Sequence, residues 1–220
     1  MSVAYIQTGF NFSGSEAPRV EAISAQLAYH YLEAGHYIGT VPSISYAFGL
    51  WRGSELEGVC CFGSPAGPPQ RLICGADWAP HVLELNRLFL VRNIPHDASR
   101  LVGASLRALP KPSIVISYAD PSAGHSGTIY QACNFLYCGL TEKRTNWTID
   151  GSDKHGVTIA DEFRGAGRSE AMRKKYGERF SLQPRPRKHR YVFVCANHKD
   201  KRAIISALHF APQNYPRAAA

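Results

Sequence analysis

The chain has 220 residues, 25 Lys+Arg against 17 Asp+Glu for a formal net charge of +8, and 45% hydrophobic residues. That is enough apolar material for one generous domain. No run reaches the roughly 18 apolar residues that cross a bilayer, and the opening "MSVAYIQTGF" shows no basic-then-apolar secretion pattern, so the expectation is a soluble, cytoplasmic protein with no membrane partner. The charge is lopsided: residues 1–140 carry a net of −1 and residues 141–220 a net of +9, a distribution that fits a polyanionic partner or a solvated basic tail equally well.

In chain order, "EAPRVEAISAQLAYHYLEAGHY" at 16–37 predicts a helix, with Ile23, Leu27, Tyr31 and Ala34 at helical spacing. "ISYAFGLW" and "LEGVCCFG" read as strands joined by the hairpin signal "RGSE". After the loop "GSPAGPPQ" comes a longer strand, "HVLELNRLFLV", then a helix, "PHDASRLVGASLRALP", capped by Asp97 or Ser99 and stopped by Pro110. "SIVISYAD" reads as a buried strand, "GHSGTIYQACN" as a helix, and "FLYCGLT" and "TNWTI" as further strands. Past Asp150 the chain turns polar and basic, with one short helix in "DEFRGAGRSEAMRKKYGERF" and a proline-broken stretch, "LQPRPRKHR". A late strand, "YVFVCA", and a helix, "KDKRAIISALHF", are apolar enough to dock on the body. The division expected is a core at 1–150 and a basic C-terminal extension at 151–220, packed on the core and available to a polyanionic partner. The six cysteines lack a CxxC pair, and Cys60 and Cys61 fall on opposite strand faces, so free and mostly buried thiols are expected.

The order strand–strand–long strand–helix–strand–helix–strand resembles the GNAT superfamily of N-acyltransferases. The resemblance rests on "LELNRLFLVRNIPHDASRLVGASLRAL", where Arg100, Gly103 and Ser105 approximate the Q/R-x-x-G-x-G/A signature, with Ser at the last position. Glycine lets backbone approach a pyrophosphate, and a helix start offers free N–H groups. The fold class implied is α/β, a mixed central sheet flanked by helices, and the cofactor implied is an acyl-coenzyme A, with Arg87, Leu90, Arg92, Arg100, Gly103, Ser105 and Asn134 as cofactor-binding candidates. By strand alternation Arg87 shares a face with Leu83, Leu85 and Phe89, which requires an ion pair or a bound anion. Glu84 and Asn86 take the other face.

The stretch "SYADPSAGHSGTIYQACNFLYCG" puts Asp120, His125 and Tyr130 at a strand-to-helix junction, where open α/β folds bind ligands. Asp120 can accept a proton or orient an amine, Tyr130 can donate a proton, and His125 can act as a base or an anion contact. The same residues also fit a helix cap and a packed aromatic.

"ELNRLFL", "SYAD", "GHSGTIYQACNFLYCG" and "KHRYVFV" together resemble the Mom family of phage-Mu-type DNA-modification proteins, from about His30 to the C-terminal "YP". The resemblance implies conversion of adenine N6 in double-stranded DNA to a carbamoylmethyl derivative, which protects phage DNA from host restriction. It places Asp120 and Tyr130 in the active site, joined by His36 and Ser117. Arg173, Lys174, Lys175, Arg185, Arg187, Lys188 and Arg190 are the candidate phosphate contacts, with Phe180 or Tyr191 available to stack a base. Adenine N6 is paired inside a duplex, so the base is expected to flip out.

The implied product joins nitrogen through a CH2 group, whereas acyl transfer joins it to a carbonyl carbon. The donor is therefore an acyl-coenzyme A followed by rearrangement or amidation, or another activated two-carbon or glycine-derived unit. No metal site is expected, although His30, His36 and Asp120 could in principle hold iron. Two alternatives stand beside DNA modification: an N-acyltransferase acting on a small-molecule or protein amine, and a non-catalytic DNA-binding protein.

Overall fold

A computed structural model describes residues 17–35, 43–152, 159, 162–163 and 167–216. The chain forms two compact units, residues 1–116 with 194–209, and residues 117–193 with 210–220.

The first unit opens on a short edge strand, β1 (Arg19–Ala22), where a helix was expected to be already under way. Helix α1 (Ala25–Gly35) starts later, after Ser24, whose Oγ accepts from the Leu27 amide at 3.1 Å. β2 (Tyr46–Arg52) and β3 (Glu55–Gly63) form the expected hairpin, with Gly53 at φ 60° in its turn. Beneath them α1 buries Ala28 and Leu32 against Ala47, Leu56, Val59 and Cys61. A one-turn helix, α2 (Pro68–Arg71), interrupts the loop before β4 (Val82–Leu90). β1 with β2, β2 with β3 and β3 with β4 pair antiparallel.

Helix α3 (Asp97–Ala108) then carries the chain over to β5 (Ser113–Ala119), parallel to β4. A parallel neighbour requires such a crossover, and this gives the mixed sheet flanked by helices. The parallel pairing covers only Val82↔Ile114, Leu83↔Val115 and Glu84↔Ile116, although β4 continues for six more residues. α3 buries Leu101, Val102 and Leu106. α6 (His198–Ser206), capped by Asn197 at 2.8 Å to the Asp200 amide, completes the unit.

One residue alters the sequence reading of β4. Arg87 pairs with Cys61 and Leu85 with Phe62, so Asn86 is an inserted bulge residue. Cys61 and Phe62 are adjacent and face opposite ways. Arg87 therefore lies on the Cys61 face, away from Leu85, where unbroken alternation had put the two together. A bulge re-aims side chains in this way.

The second unit holds the end of β5, α4 (Thr128–Ala132), β6 (Leu136–Leu140), β7 (Arg144–Ile149), α5 (Arg168–Tyr176), β8 (Phe180–Arg185) and most of β9 (His189–Cys195). The strands of the main sheet run in the order β1-β2-β3-β4-β5-β9-β6, and β7 and β8 form a second, two-stranded sheet. β8 runs into the proline-broken stretch, where no strand was expected; Pro184 lies opposite Thr145 in that two-stranded sheet, where edge positions tolerate proline. β6 pairs with β9, with a bulge between Tyr137 and Leu140 that contains Gly139 at φ 77°. Beyond it the two chain segments stay in register through Leu140↔His189, the Thr141 amide bonded to the Lys188 carbonyl, and Arg144↔Arg185. β7–β8 is thus the prolongation of the β6–β9 ladder. A small core of Ile149, Ile159, Met172 and Phe180, flanked by Trp147, Phe163 and Tyr176, backs it.

All six cysteines are free thiols, five of them buried. Among the described residues no helix is long and apolar enough to cross a membrane.

Candidate active site

β5 ends at Ala119, and Asp120 follows it at the head of a 3-10 turn, Pro121–Ala123, ahead of α4. Asp120 caps that turn: its Oδ1 accepts from the Ser122 amide at 3.0 Å and the Ser122 hydroxyl at 2.6 Å. Its Oδ2 pairs with Lys188 Nζ at 3.1 Å. Burial pushes this carboxyl up, but the Ser122 hydroxyl, the Lys188 ammonium and the Ser122 amide together hold it below its ordinary value. Asp120 is consequently a fixed carboxylate at neutral pH, suited to accepting a hydrogen bond from an amine. Lys188 was grouped by sequence with surface phosphate contacts, and its pairing with Asp120 was missed.

α4 begins at Thr128, four residues later than the first glycine of its segment. Gly127 ahead of it sits at φ 84°, and a Cβ there would lie 2.3 Å from Cε2 of Tyr191. Both facts demand glycine. Tyr191 is fully buried; its hydroxyl donates to the Ser126 carbonyl at 2.7 Å and accepts from Gln131 Nε2 at 3.0 Å. Burial chiefly pushes its phenol up, so it stays a donor. The chain between Asp120 and α4 is also closed by the His125 amide on the Asp120 carbonyl at 3.0 Å.

Tyr130, half-buried, stacks at 5.3 Å from both Phe135 and Tyr191. Asn134 closes α4 in the left-handed region at φ 60°, with its amide on the Gln131 carbonyl and the Phe135 amide on the Tyr130 carbonyl, each at 3.0 Å. That bond pattern is a Schellman cap, which gives Asn134 a structural reason at this position. Ser117 is buried in β5, and His125 is exposed. Behind α4, the Tyr137 hydroxyl meets His189 Nδ1 at 3.0 Å; burial pushes His189 down, so it favours the neutral ring. His36 lies outside the described residues. Among the described residues no three His, Cys, Asp or Glu side chains converge in a way that would hold a metal ion.

The expected phosphate contacts divide. Arg173, Lys174 and Lys175 are exposed in the last turn of α5, with Lys175 paired to Glu162 at 3.0 Å. Arg185 and Arg187 are exposed, and Arg187 Nε donates to the Thr141 carbonyl at 2.6 Å. Arg190 instead is buried: it stacks 3.6 Å above the Phe210 ring and donates to the Cys138 carbonyl at 3.1 Å. Cys138 lies in the bulge between Tyr137 and Leu140, so the arginine bonds the irregular part of the strand. Tyr191 and Phe180, considered as base-stacking residues, are both core residues.

In the first unit, the expected cofactor side contains an alternating ion network. Glu57 accepts from Arg52 at 3.0 Å and from Arg92; Asp97 accepts from Arg52 at 2.8 Å and Arg100 at 2.7 Å. Both carboxylates are buried, while Arg92 and Arg100 stay about half exposed. Asp97 is spent on this network rather than on capping, and the N-cap residue is His96, with no side-chain cap bond. Three guanidiniums against two carboxylates leave a positive excess beside an uncapped helix start, which fits a phosphate group. Ser105 is buried with its hydroxyl on the Leu101 carbonyl at 2.8 Å, filling the small-residue position of the signature from inside the helix. A Cβ on Gly103 would meet only Arg107, at 3.6 Å. Leu90 packs over Gly58, where a Cβ would lie 2.5 Å from its Cδ2. Arg87 donates to the Asn86 carbonyl at 2.6 Å and lies near Cys61, whose thiol burial pushes up to about 12 despite the arginine.

Comparison with known proteins adds three findings. The sequence profile of the Mom protein family matches residues 17–217. The methylcarbamoylase mom of Escherichia phage Mu is 30% identical over 212 residues, spanning 93% of this chain and 86% of that protein. Among solved structures, a probable acetyltransferase from Staphylococcus epidermidis is similar at a TM-score of 0.46 with 11% identity, covering 81% of this chain and 99% of that one. An N-acetyltransferase from Staphylococcus aureus is similar at a TM-score of 0.44 with 12% identity, covering 82% and 99%.

Proposed function

The chain belongs to the Mom protein family, and from that premise we propose that it is a transferase that converts the exocyclic N6 amine of adenine in double-stranded DNA to a carbamoylmethyl derivative. The observation that carries this reading is the 30% identity, along 93% of the chain, to the phage Mu methylcarbamoylase. Protection of the modified DNA from restriction follows, because a group on N6 stands in the major groove where endonucleases read adenine.

The N6 lone pair is delocalised into the ring, so the amine must be held in line with an electrophile and lose a proton as its new bond to carbon forms. Asp120, kept ionised by Ser122 and Lys188, accepts the N6 hydrogen bond and fixes the amine's orientation. The ordered segment from Ser126 to Gln131, pinned on Tyr191, positions Tyr130 as the proton donor to the departing group. Ser117, buried in β5, positions the strand end, and His36 belongs to the acceptor pocket. Arg173, Lys174, Lys175, Arg185 and Arg187 neutralise phosphates while the base is held out of the stack, at a cost of a few kcal/mol.

Arg92 and Arg100, with the first turn of α3 and the open side of Gly103, would hold the phosphates of an acyl-coenzyme A-type donor. When bound, such a donor would supply the two-carbon unit. Because acyl transfer alone joins nitrogen to a carbonyl carbon, the CH2 linkage requires a rearrangement or amidation beyond that transfer, and the thiolate of the donor would leave with the proton from Tyr130. Arg87 and Leu90 line the β4 side of the same subsite.

Expression of the chain in a bacterium, with its DNA digested to nucleosides for mass analysis, tests the proposal. A heavier deoxyadenosine is expected with the natural chain and its near loss with Asp120→Asn. Unmodified DNA in the presence of folded protein contradicts the reading and leaves an amine N-acyltransferase or a silent DNA-binding protein.

A further inference from the structure

The β7–β8 ribbon has two faces of opposite character. In its antiparallel ladder, Thr145↔Pro184, Trp147↔Leu182 and Ile149↔Phe180 alternate with Arg144↔Arg185, Asn146↔Gln183 and Thr148↔Ser181. Directly opposed residues share a face, and successive pairs alternate. The first set takes in Trp147, Ile149 and Phe180, which pack with Met172 of α5 and with Ile159. The second set consists of two arginines, two carboxamides and two hydroxyls. It holds no acid, no aliphatic and no aromatic side chain.

We propose that this second face reads base edges in the major groove of duplex DNA and sets the sequence context of modification. The proposal rests on the DNA-modification reading above and adds to it the residues that choose the site. Each uncharged residue type on this face has a base partner by geometry, asparagine or glutamine for adenine and serine or threonine less selectively, while Arg144 and Arg185 at its end meet phosphate. A two-stranded ribbon of six residues per strand is about 20 Å long with strands about 5 Å apart, and the B-form major groove, about 12 Å wide, admits it.

Three observations favour this occupant over others. Arg144 and Arg185 are exposed and directly opposite each other; like charges across a ladder repel, and an anion between them removes that cost. The absence of aromatic residues on the face argues against single-stranded nucleic acid, which is bound by stacking. The absence of aliphatic ones argues against a protein or membrane surface. Local bonds also order the reading groups: Thr148 Oγ1 lies 2.8 Å from Ser181 Oγ, and Gln183 Nε2 donates to that oxygen at 3.2 Å.

The ribbon is also tied to the candidate site by chain and register. Lys188 follows Arg185 by three positions, a span of at most about 11 Å, and Lys188 holds Asp120. A base sequence recognised along the ribbon therefore fixes where on the duplex Asp120 works.

The test uses the full chain and a pool of random-sequence duplexes, from which bound molecules are recovered and sequenced. The natural protein is expected to enrich a short motif. Asn146→Ala with Gln183→Ala should weaken preference at one or more positions of that motif by about five- to a hundredfold, with affinity for arbitrary duplexes little changed. Gln183→Arg should redirect one position toward guanine, which loss of structure cannot do. Gln183 is exposed, so its single variants serve if the double variant fails to fold. An unchanged motif of unchanged strength in all variants overturns the proposal, as does a natural protein that binds duplexes without preference. Modified deoxyadenosine in cells with an unchanged sequence context in the variants sinks the ribbon's role alone; absence of modified deoxyadenosine with the natural chain sinks the underlying function.

Discussion

Gly127→Ala is the substitution whose cost follows most directly from the geometry of the site. The new Cβ would stand 2.3, 2.6 and 2.7 Å from Cε2, Cζ and the hydroxyl oxygen of Tyr191, and that ring is buried and bonded at both Ser126 and Gln131. It cannot swing away without breaking those bonds. The left-handed backbone adds about 1–2 kcal/mol for any residue with a Cβ, and forcing a packed ring aside adds about 1–3 kcal/mol. The expected loss of unfolding free energy is therefore about 2–5 kcal/mol, read from urea denaturation curves. In a Tyr191→Leu background the three crowding atoms are gone, so the same substitution should cost only the backbone share of about 1–2 kcal/mol. Equal costs in both backgrounds would refute the claim that Tyr191 dictates glycine here. Because Tyr130 stacks on Tyr191, modification activity should fall with Gly127→Ala even at temperatures where the variant stays folded.

Other consequences can be measured separately. Tyr130→Phe keeps the stack but removes the proposed proton donor, so modification should drop about a hundredfold with stability changed little. Arg185→Ala and Arg187→Ala should each lower the slope of log affinity against log salt by about 0.9. Arg190→Ala should leave that slope alone and cost about 1–3 kcal/mol of stability instead, because it stacks on Phe210 and satisfies the Cys138 carbonyl. Asp97→Asn removes the charge partner of Arg100 and leaves Arg52 with Glu57 alone, and should destabilise the protein by about 1–3 kcal/mol. Asp120 has a folded pKa below its unfolded one. Its contribution is thus complete above the ordinary carboxylate range and lost as pH falls through the lower folded value, so the stability difference between the natural chain and Asp120→Asn should shrink across that acidic window.

Much of the scaffold was legible because hydrophobic period and turn signals agreed. The hairpin at "RGSE", the β4–α3–β5 crossover and the final strand and helix all fell where pattern placed them. The misses have local causes. β1 is a four-residue edge strand of mixed polarity, which reads as the polar start of a helix. β8 contains Pro184, tolerated only because its partner sheet has two strands. The bulge at Asn86 turned Arg87 to the other face, and a bulge leaves no mark in strict alternation. Arg190 was hidden in a charge run, although strand period places it on one face with Val192 and Val194, both buried. Asp120 and Tyr130 stood out as residue types at a strand-to-helix junction, but the Lys188 partner lies 68 positions along the chain from Asp120, and nothing local signals it.

The central claim is that Asp120 presents adenine N6 for a new bond to carbon. Its most direct test is fragmentation of the nucleosides from DNA made with adenine carrying heavy nitrogen at N6, in cells expressing the natural chain or Asp120→Asn. The account predicts a heavier deoxyadenosine whose added carbamoylmethyl group stays bonded to the labelled nitrogen, and its near absence with Asp120→Asn. An added group located elsewhere on the nucleoside, or equal yields from both chains, would contradict it.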